Sequence, residues 1–316
     1  MSYFPTPWAT SPAAAILRRR LRSEPRSLLM LDYDGTLAPF HVDRFKAAPY
    51  GGVEERLATL STLSSTMQPR FRLVLVSGRS ARELRDMLRP GIEVEIWGSH
   101  GREQLKRDGT YKLFTLDPLQ QAALGQVGRE MSGLGFSETL EIKPSSLAVH
   151  WRGYDAATQE RIRSSVYSVF AGVGLTAGLH LLPFDGGVEL RSADRTKGTV
   201  VGQILSEEPL ALPIAYLGDD LTDEDAFAAV GSRGYPILVR TQVRESSARF
   251  WLRPPEELLE FLDDWICHSI SGHHHSSALC ESESITNYAV LPVGGFGRWL
   301  TGQLRICGTH EDAQRE

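Results

Sequence analysis

Cysteine is scarce in this chain: there are three, Cys267, Cys280 and Cys307, all toward one end. An odd number gathered there cannot staple the body of a fold, so reduced thiols are expected. Long apolar runs are missing as well. The longest are strand-sized, short of the ~20 residues a bilayer crossing needs, and no apolar stretch follows the N-terminal arginines as in a secretory leader. A cytoplasmic protein without a membrane partner is expected. There is no basic surplus either: 34 Lys and Arg stand against 39 Asp and Glu, a net charge of −5. That balance lacks the electrostatic footprint of a nucleic-acid binder. What remains, 316 residues of which 41% are hydrophobic and 23% charged, is ordinary globular material for one large or two medium domains.

Within it, residues 27–39, SLLMLDYDGTLAP, carry the strongest pattern. Leu28, Leu29, Met30 and Leu31 show no polar alternation, which predicts a central strand of a parallel sheet covered on both faces. Asp32 and Asp34 then fall just past its carboxyl end, the edge where open α/β sheets bind ligands. Two neighbouring carboxylates repel unless a cation or a proton separates them. An Asx turn would account for a lone Asp-Gly, but not for doubled acids at a strand tip with the companions that follow.

ALPIAYLGDD repeats the arrangement, a second strand ending in Asp219 and Asp220. Helix capping explains Asp223 and the acids after it, and explains the Asp219–Asp220 pair less well. FRLVLVS ends in Ser77, followed by Gly78, Arg79 and a helix over 81–88. A hydroxyl beside helix-start amides suits a phosphoryl oxygen, and it equally suits an N-cap. In DRTKG, Lys197 opens an apolar helix, where the dipole disfavours a cation, so an anionic partner is expected.

The remaining segments order themselves around these. Residues 1–12 have no periodicity, and AAAILRRRLR predicts a short amphipathic surface helix. A mitochondrial presequence shares that composition but here would run straight into the first strand. A helix over 53–63 and a third strand, IEVEIWGSHG, with His100 in a glycine-flanked turn, complete the first half. Residues 104–187 read as an inserted α+β unit capping the acidic site, with helices near 119–131 and 156–170 and two strand-like runs, LEIKPSSLAVHWR and LTAGLHLLPFDGGVELR. Alternation puts Glu141 and Lys143 on one face, and His150 and Arg152 on one face further on. A solvated face explains that alternation; a strand facing a sugar would look the same. YPILVR and PPEELLEFLDDWI supply a last strand and a closing helix. The expected division is a core over 1–103 and 188–267, a cap over 104–187, and an unassigned extension over 268–316. That extension holds His273, His274, His275 and Cys280, whose adjacency fits no zinc spacing.

DxDGT after an apolar strand, with Ser77, Lys197 and the Asp219, Asp220 and Asp223 group following in order, resembles the haloacid dehalogenase superfamily of phosphotransferases. DYDGTLAP, SGRS, GSHG, EIKPSSLAVHWR, VELR before a KG pair, and GDDLTDEDAF narrow the resemblance, over residues 28–266, to the trehalose-6-phosphate phosphatase family. Trp151 and Ser192 stand where that family often has tyrosine and proline. The resemblance implies a Rossmann-like, doubly wound parallel α/β core with an inserted α+β cap of the C2 type. It implies Asp32 as nucleophile through a phosphoaspartyl intermediate, Asp34 as acid and base, and Ser77 and Lys197 as stabilisers of phosphoryl charge. Mg2+ would be held by Asp32, the Asp34 carbonyl and Asp219, with Asp220 and Asp223 orienting that shell; every candidate ligand is oxygen, as a hard cation prefers. Glu141, Lys143, Arg152 and Glu189 would hydrogen-bond a disaccharide, with Arg79 and His100 on the core side. The expected partner is a small phosphosugar, the expected state a monomer. Another capped phosphosugar phosphatase or mutase, acting on sucrose phosphate or phosphomannose, and a catalytically silent regulatory module remain as alternatives.

Overall fold

A computed structural model describes residues 3–41, 46–66, 70–143, 145–173, 177–184 and 186–271 of the chain. His273, His274, His275, Cys280 and Cys307 lie outside the described residues. The first part of the core runs β1 (Thr6–Pro7), α1 (Pro12–Ser23), β2 (Ser27–Leu31), α2 (Val53–Thr66), β3 (Phe71–Val76), α3 (Ala81–Met87), β4 (Glu95–Gly98), β5 (Glu103–Leu105) and β6 (Tyr111–Leu113). The cap follows with α4 (Pro118–Gly133), β7 (Leu140–Lys143), β8 (Ser146–His150), α5 (Ala156–Val173), β9 (Leu179–Phe184) and β10 (Gly187–Ser192). The chain then returns through α6 (Lys197–Ser206), β11 (Ile214–Gly218), α7 (Glu224–Val230), β12 (Tyr235–Val239), β13 (Phe250–Leu252) and α8 (Glu256–Ser271).

The core sheet has the order β1-β13-β12-β11-β2-β3-β4-β5-β6. Its pairs are parallel from β1 to β4, and β5 and β6 turn antiparallel at one edge. The unalternated run of β2 is explained by helices on both faces. Leu29 and Leu31 pack with α1, α2, α3 and α8, while Leu28 and Met30 pack with α6 and α7. All four are fully buried, each a contribution of roughly 1.5–3 kcal/mol before conformational entropy is subtracted. Helix starts are set by short side chains: the Ser80 and Asp117 oxygens accept the Glu83 and Gln120 N–H groups, and Thr196 and Thr199 cap α6 reciprocally. Among the described residues no helix is long and apolar enough to cross a membrane.

The structure differs from the sequence reading in three places. Residues 3–12, part of the N-terminal stretch in which the sequence shows no periodicity, add the parallel edge strand β1 and bury Trp8 edge-on against Tyr235, Phe250 and Phe261; a two-residue strand is too short to show a period. LEIKPSSLAVHWR is not one strand but a hairpin, β7 against β8, and LTAGLHLLPFDGGVELR is likewise β9 against β10. The expected cap boundaries at 104 and 187 also move. β5 and β6 belong to the core sheet, whereas β10, assigned by sequence to the core, sits between β8 and β9 in the four-stranded cap sheet β7-β8-β10-β9. Cross-strand hydrogen bonding, which composition does not report, decides both.

In the cap, α4 and α5 cover one face of the sheet through Val127, Met131, Ile162, Val166, Leu147, Val149, Val188 and Leu190. Register puts Glu141 and Glu189 opposite Ala148, and Lys143 and Arg191 opposite Ser146. These residues therefore share the other face, which looks toward the core. Both connections between the bodies are tied by one buried side chain: Arg102 donates to the Phe114 and Thr115 carbonyls at 3.4 Å each and to Asp194.

Candidate active site

β2 and β11 are neighbours in the middle of the sheet, with Leu31 in register with Leu217. Their tips therefore deliver Asp32 and Asp219 side by side. Oxygens of Asp32, Asp219 and Asp223 lie within 4.8 Å of one another, all three residues buried. Lys197, at the first turn of α6, reaches Asp32 Oδ1 at 2.9 Å and Asp223 Oδ1 at 2.8 Å. The cation that the helix dipole disfavours is thus explained by two carboxylates. Burial raises the Asp32 pKa to about 7, with the Asp223 and Asp34 charges adding and Lys197 opposing. Burial pushes Asp219 well up as well, with Asp32 and Asp223 adding. For Lys197 burial works against the charge, but Asp223 and Asp32 outweigh it and raise its pKa.

The five acids expected at a metal do different things. Asp223 accepts Lys197 Nζ, the Tyr216 hydroxyl at 2.5 Å, and the Asp219 and Asp220 N–H groups at 3.2 and 3.1 Å. That network fixes its orientation, so it holds the loop as much as it offers an oxygen. Asp220, expected beside the metal, is outside the three-acid group and instead caps the short 3-10 helix Leu221–Asp223. The Asp34 carboxylate also stays apart, since Arg79 holds both its oxygens at 2.6 Å through Nε and Nη2. Arg79, expected to bind substrate, is so placed because its remaining Nη1 pairs with Glu83 at 2.8 Å; it is Asp34's holder. Asp219 Oδ1 is buried with no hydrogen-bond partner among the described residues. A Cβ on Gly35, whose φ is +80°, would fall 2.1 Å from Asp219 Oδ2. An orphaned oxygen, an all-oxygen donor set and a cradle only glycine leaves open fit a hard divalent cation. Ser77 is buried at the end of β3, and its Oγ accepts the Arg79 N–H at 3.2 Å, which leaves its hydroxyl hydrogen to donate.

Above this floor lies a cavity of about 700 Å³ lined by both bodies, including Asp32, Asp34, Arg79, His100, Glu141, Lys143, Arg152, Glu189, Lys197, Asp219 and Asp220. Register thus brings the expected cap residues to the acids. Glu189 is the hub. It accepts Lys143 Nζ at 3.0 Å and the Ser146 hydroxyl at 2.8 Å, and its Oε2 lies 3.0 Å from His100 Nε2 of the core. Burial alone would raise Glu189, but Lys143, His100 and Arg191 hold it well below the usual carboxylate range. Burial, with Arg191 and Lys143 beside it, lowers His100 to about 4 despite Glu189, so its neutral imidazole donates from Nε2. Lys143 also donates to the Gly78 carbonyl at 3.2 Å, and Glu141 pairs with His150 at 2.9 Å. Arg152 approaches the Phe40 ring at 6.0 Å.

Sequence reasoning missed Arg191, which lines the cavity with Nε and Nη1 buried and without hydrogen-bond partners among the described residues. The signal was present: it is two residues past Glu189 and so on the same strand face. Tyr216, the clamp on Asp223, carried none, since it reads as one more residue of a buried strand.

Comparison with known proteins adds an independent finding. A family model described as trehalose-phosphatase matches residues 30–255. A trehalose-phosphate phosphatase of Mycobacterium bovis is 33% identical over 255 residues, covering 74% of this chain and 60% of that protein. An uncharacterized glycosyl hydrolase of Mycobacterium tuberculosis is 32% identical over 271 residues, 79% of this chain but 19% of the relative. The chain therefore spans only part of the relatives' length. The solved C-terminal domain of Candida albicans trehalose-6-phosphate phosphatase superposes with a TM-score of 0.68 at 21% identity, covering 84% of this chain and 99% of that one, a likeness of fold.

Proposed function

Because this chain belongs to the trehalose-phosphatase family, we propose that it hydrolyses trehalose 6-phosphate to trehalose and inorganic phosphate. The observation that carries this reading is Asp32 on a central strand tip, 2.9 Å from Lys197, open to a cavity whose roof is the polar face of the cap sheet. A volume of about 700 Å³ is in the range of small-molecule sites, ample for a disaccharide monophosphate.

Asp32 attacks phosphorus, the bond from phosphorus to the sugar oxygen breaks, and Asp34 gives that oxygen its proton. Water then attacks the phosphoaspartyl group while Asp34 takes a proton back, freeing phosphate and restoring the Asp32 carboxylate. The two-way proton work of Asp34 is worth roughly 10²–10⁴-fold in rate. Lys197 and the Ser77 hydroxyl stabilise charge on the transferring group. Arg79 aims the Asp34 carboxyl group. Asp32, Asp219 and the Asp34 carbonyl would hold Mg2+, with Asp223 orienting them, and when bound it neutralises phosphoryl oxygens. Glu141, Lys143, Arg152, Glu189 and Arg191 face the sugar hydroxyls.

The test is phosphate release from a panel of sugar phosphates, with Mg2+ or EDTA. Trehalose 6-phosphate should be the best substrate, and Asp32→Asn should abolish release without unfolding the protein. A preference for sucrose phosphate or phosphomannose would redirect the assignment within capped phosphatases. No release from any substrate would mark a silent module.

A further inference from the structure

Two residues besides glycine have positive φ among the described residues, and they are adjacent: Ser99 at +48° and His100 at +51°, followed by Gly101 at +100°. L-residues avoid this region, and a pair of them persists only where the surroundings over-determine it. Here the surroundings are one buried carboxyl group. Glu103 accepts the Ser99 hydroxyl on Oε1 at 2.5 Å, and on Oε2 it accepts the Tyr111 hydroxyl at 3.1 Å and the Ala81 N–H, at the start of α3, at 3.3 Å. Two backbone bonds finish the turn, Ser99 N–H to the Arg79 carbonyl at 2.7 Å and His100 N–H to the Ser77 carbonyl at 3.0 Å.

The turn's product is the position of one ring. His100 lies over Gly78 so closely that a Cβ there would come within 2.8 Å of the imidazole. From that seat its Nε2 meets Glu189 of the cap at 3.0 Å, while Lys143 of the cap meets the Gly78 carbonyl at 3.2 Å. The cap's paired Glu189 and Lys143 thus land on two core residues whose placement depends on the strained turn.

We propose that Glu103, which takes no part in the chemistry and does not line the cavity, is a positioning residue: it holds the 99–101 turn so that His100 docks Glu189 and seats the cap over Asp32. The sugar-recognising face is then registered against the nucleophile from the core side. This rests on the phosphatase reading only for the identity of the substrate.

The test compares wild type, Glu103→Ala and Glu103→Gln on trehalose 6-phosphate and on p-nitrophenyl phosphate, a small ester that does not need the cap's sugar contacts. The ratio of the two kcat/KM values cancels any difference in folded fraction. E103A should lower that ratio roughly tenfold, the scale of one lost buried hydrogen bond, through KM for the sugar phosphate. E103Q should restore it, because its carbonyl can serve Ala81 and Tyr111 while the Ser99 hydroxyl turns to accept. Acetylation of Lys143, followed by mass spectrometry without substrate, should be several-fold faster in E103A. An unchanged ratio with unchanged Lys143 labelling overturns the proposal, as does an equal fall on both substrates. If E103A does not fold, Ser99→Ala should move the ratio and the labelling in the same directions, and its failure to do so overturns the proposal equally. Wild type inert on trehalose 6-phosphate would sink the substrate assignment and leave docking to the labelling result.

Discussion

Lys197→Met isolates what one buried cation does for this fold, since methionine keeps most of the apolar stem and deletes the charge. Lys197 is 3% exposed and sits between Asp32 and Asp223, at 2.9 and 2.8 Å, with Asp219 in the same cluster. Removing one partner from a buried ion pair typically costs about 3–5 kcal/mol, because the charge left behind has lost its solvent and its counter-ion. At roughly 2–3 °C per kcal/mol for a chain this large, the melting temperature should fall by roughly 6–15 °C in EDTA. Proton uptake relieves part of the deficit. Asp32 and Asp219 already have raised pKa values, so in the variant the folded state binds more protons than the unfolded, and stability falls as pH rises. The deficit should therefore be larger near pH 8 than near pH 5. A divalent cation can replace the lost charge: at a hundred times its Kd it returns about 2.7 kcal/mol, so Mg2+ should stabilise K197M at least as much as wild type. Circular-dichroism melts at both pH values, with Mg2+ and with EDTA, read all of this. A variant that melts within about 2 °C of wild type in EDTA near pH 8 would show that the acids do not depend on Lys197 for neutralisation.

Gly35→Ala should uncouple the protein from its cation: the new Cβ would fall 2.1 Å from Asp219 Oδ2 at a φ of +80°, so Asp219 must swing away, with at least about 1 kcal/mol of backbone strain besides. Mg2+ should then no longer raise the melting temperature, and persistence of the full Mg2+ shift would contradict the cradle. On the acid side, His100 has its pKa lowered from 6.5 to about 4 by burial. The unfolded chain takes up that proton first, so stability is complete above about pH 6.5 and declines as pH falls toward 4, by roughly 3 kcal/mol at ~1.4 kcal/mol per pH unit. His100→Gln, which retains a donor for Glu189, should flatten that slope in urea unfolding midpoints, and an unaltered slope would remove His100 from the acid limb.

Some of this was readable from residues alone because it depends on local pattern. An apolar run without alternation, as at Leu28–Leu31, has only one stable setting, between two helical layers, so strands β2 and β11 and the acids at their tips could be assigned directly. Polar alternation in the cap likewise separated Glu141 and Lys143 from the apolar face. What failed depended on contacts that local periodicity does not report. The hairpin break inside LEIKPSSLAVHWR and the transfer of β10 to the cap sheet are decided by strand pairing, and the capture of Asp34 by Arg79 and the hold of Tyr216 on Asp223 by side-chain hydrogen bonds that only the folded chain brings together.

Sequence by itself determined the parallel α/β core and the delivery of acids to its strand tips, because burial on both faces and the direction of a strand leave no alternative. Only the tertiary structure decided how those acids divide their work. Three converge around Lys197, one is turned aside by an arginine, and one caps a helix, since a carboxylate's role follows from whichever donors the folded chain brings within about 3 Å of it.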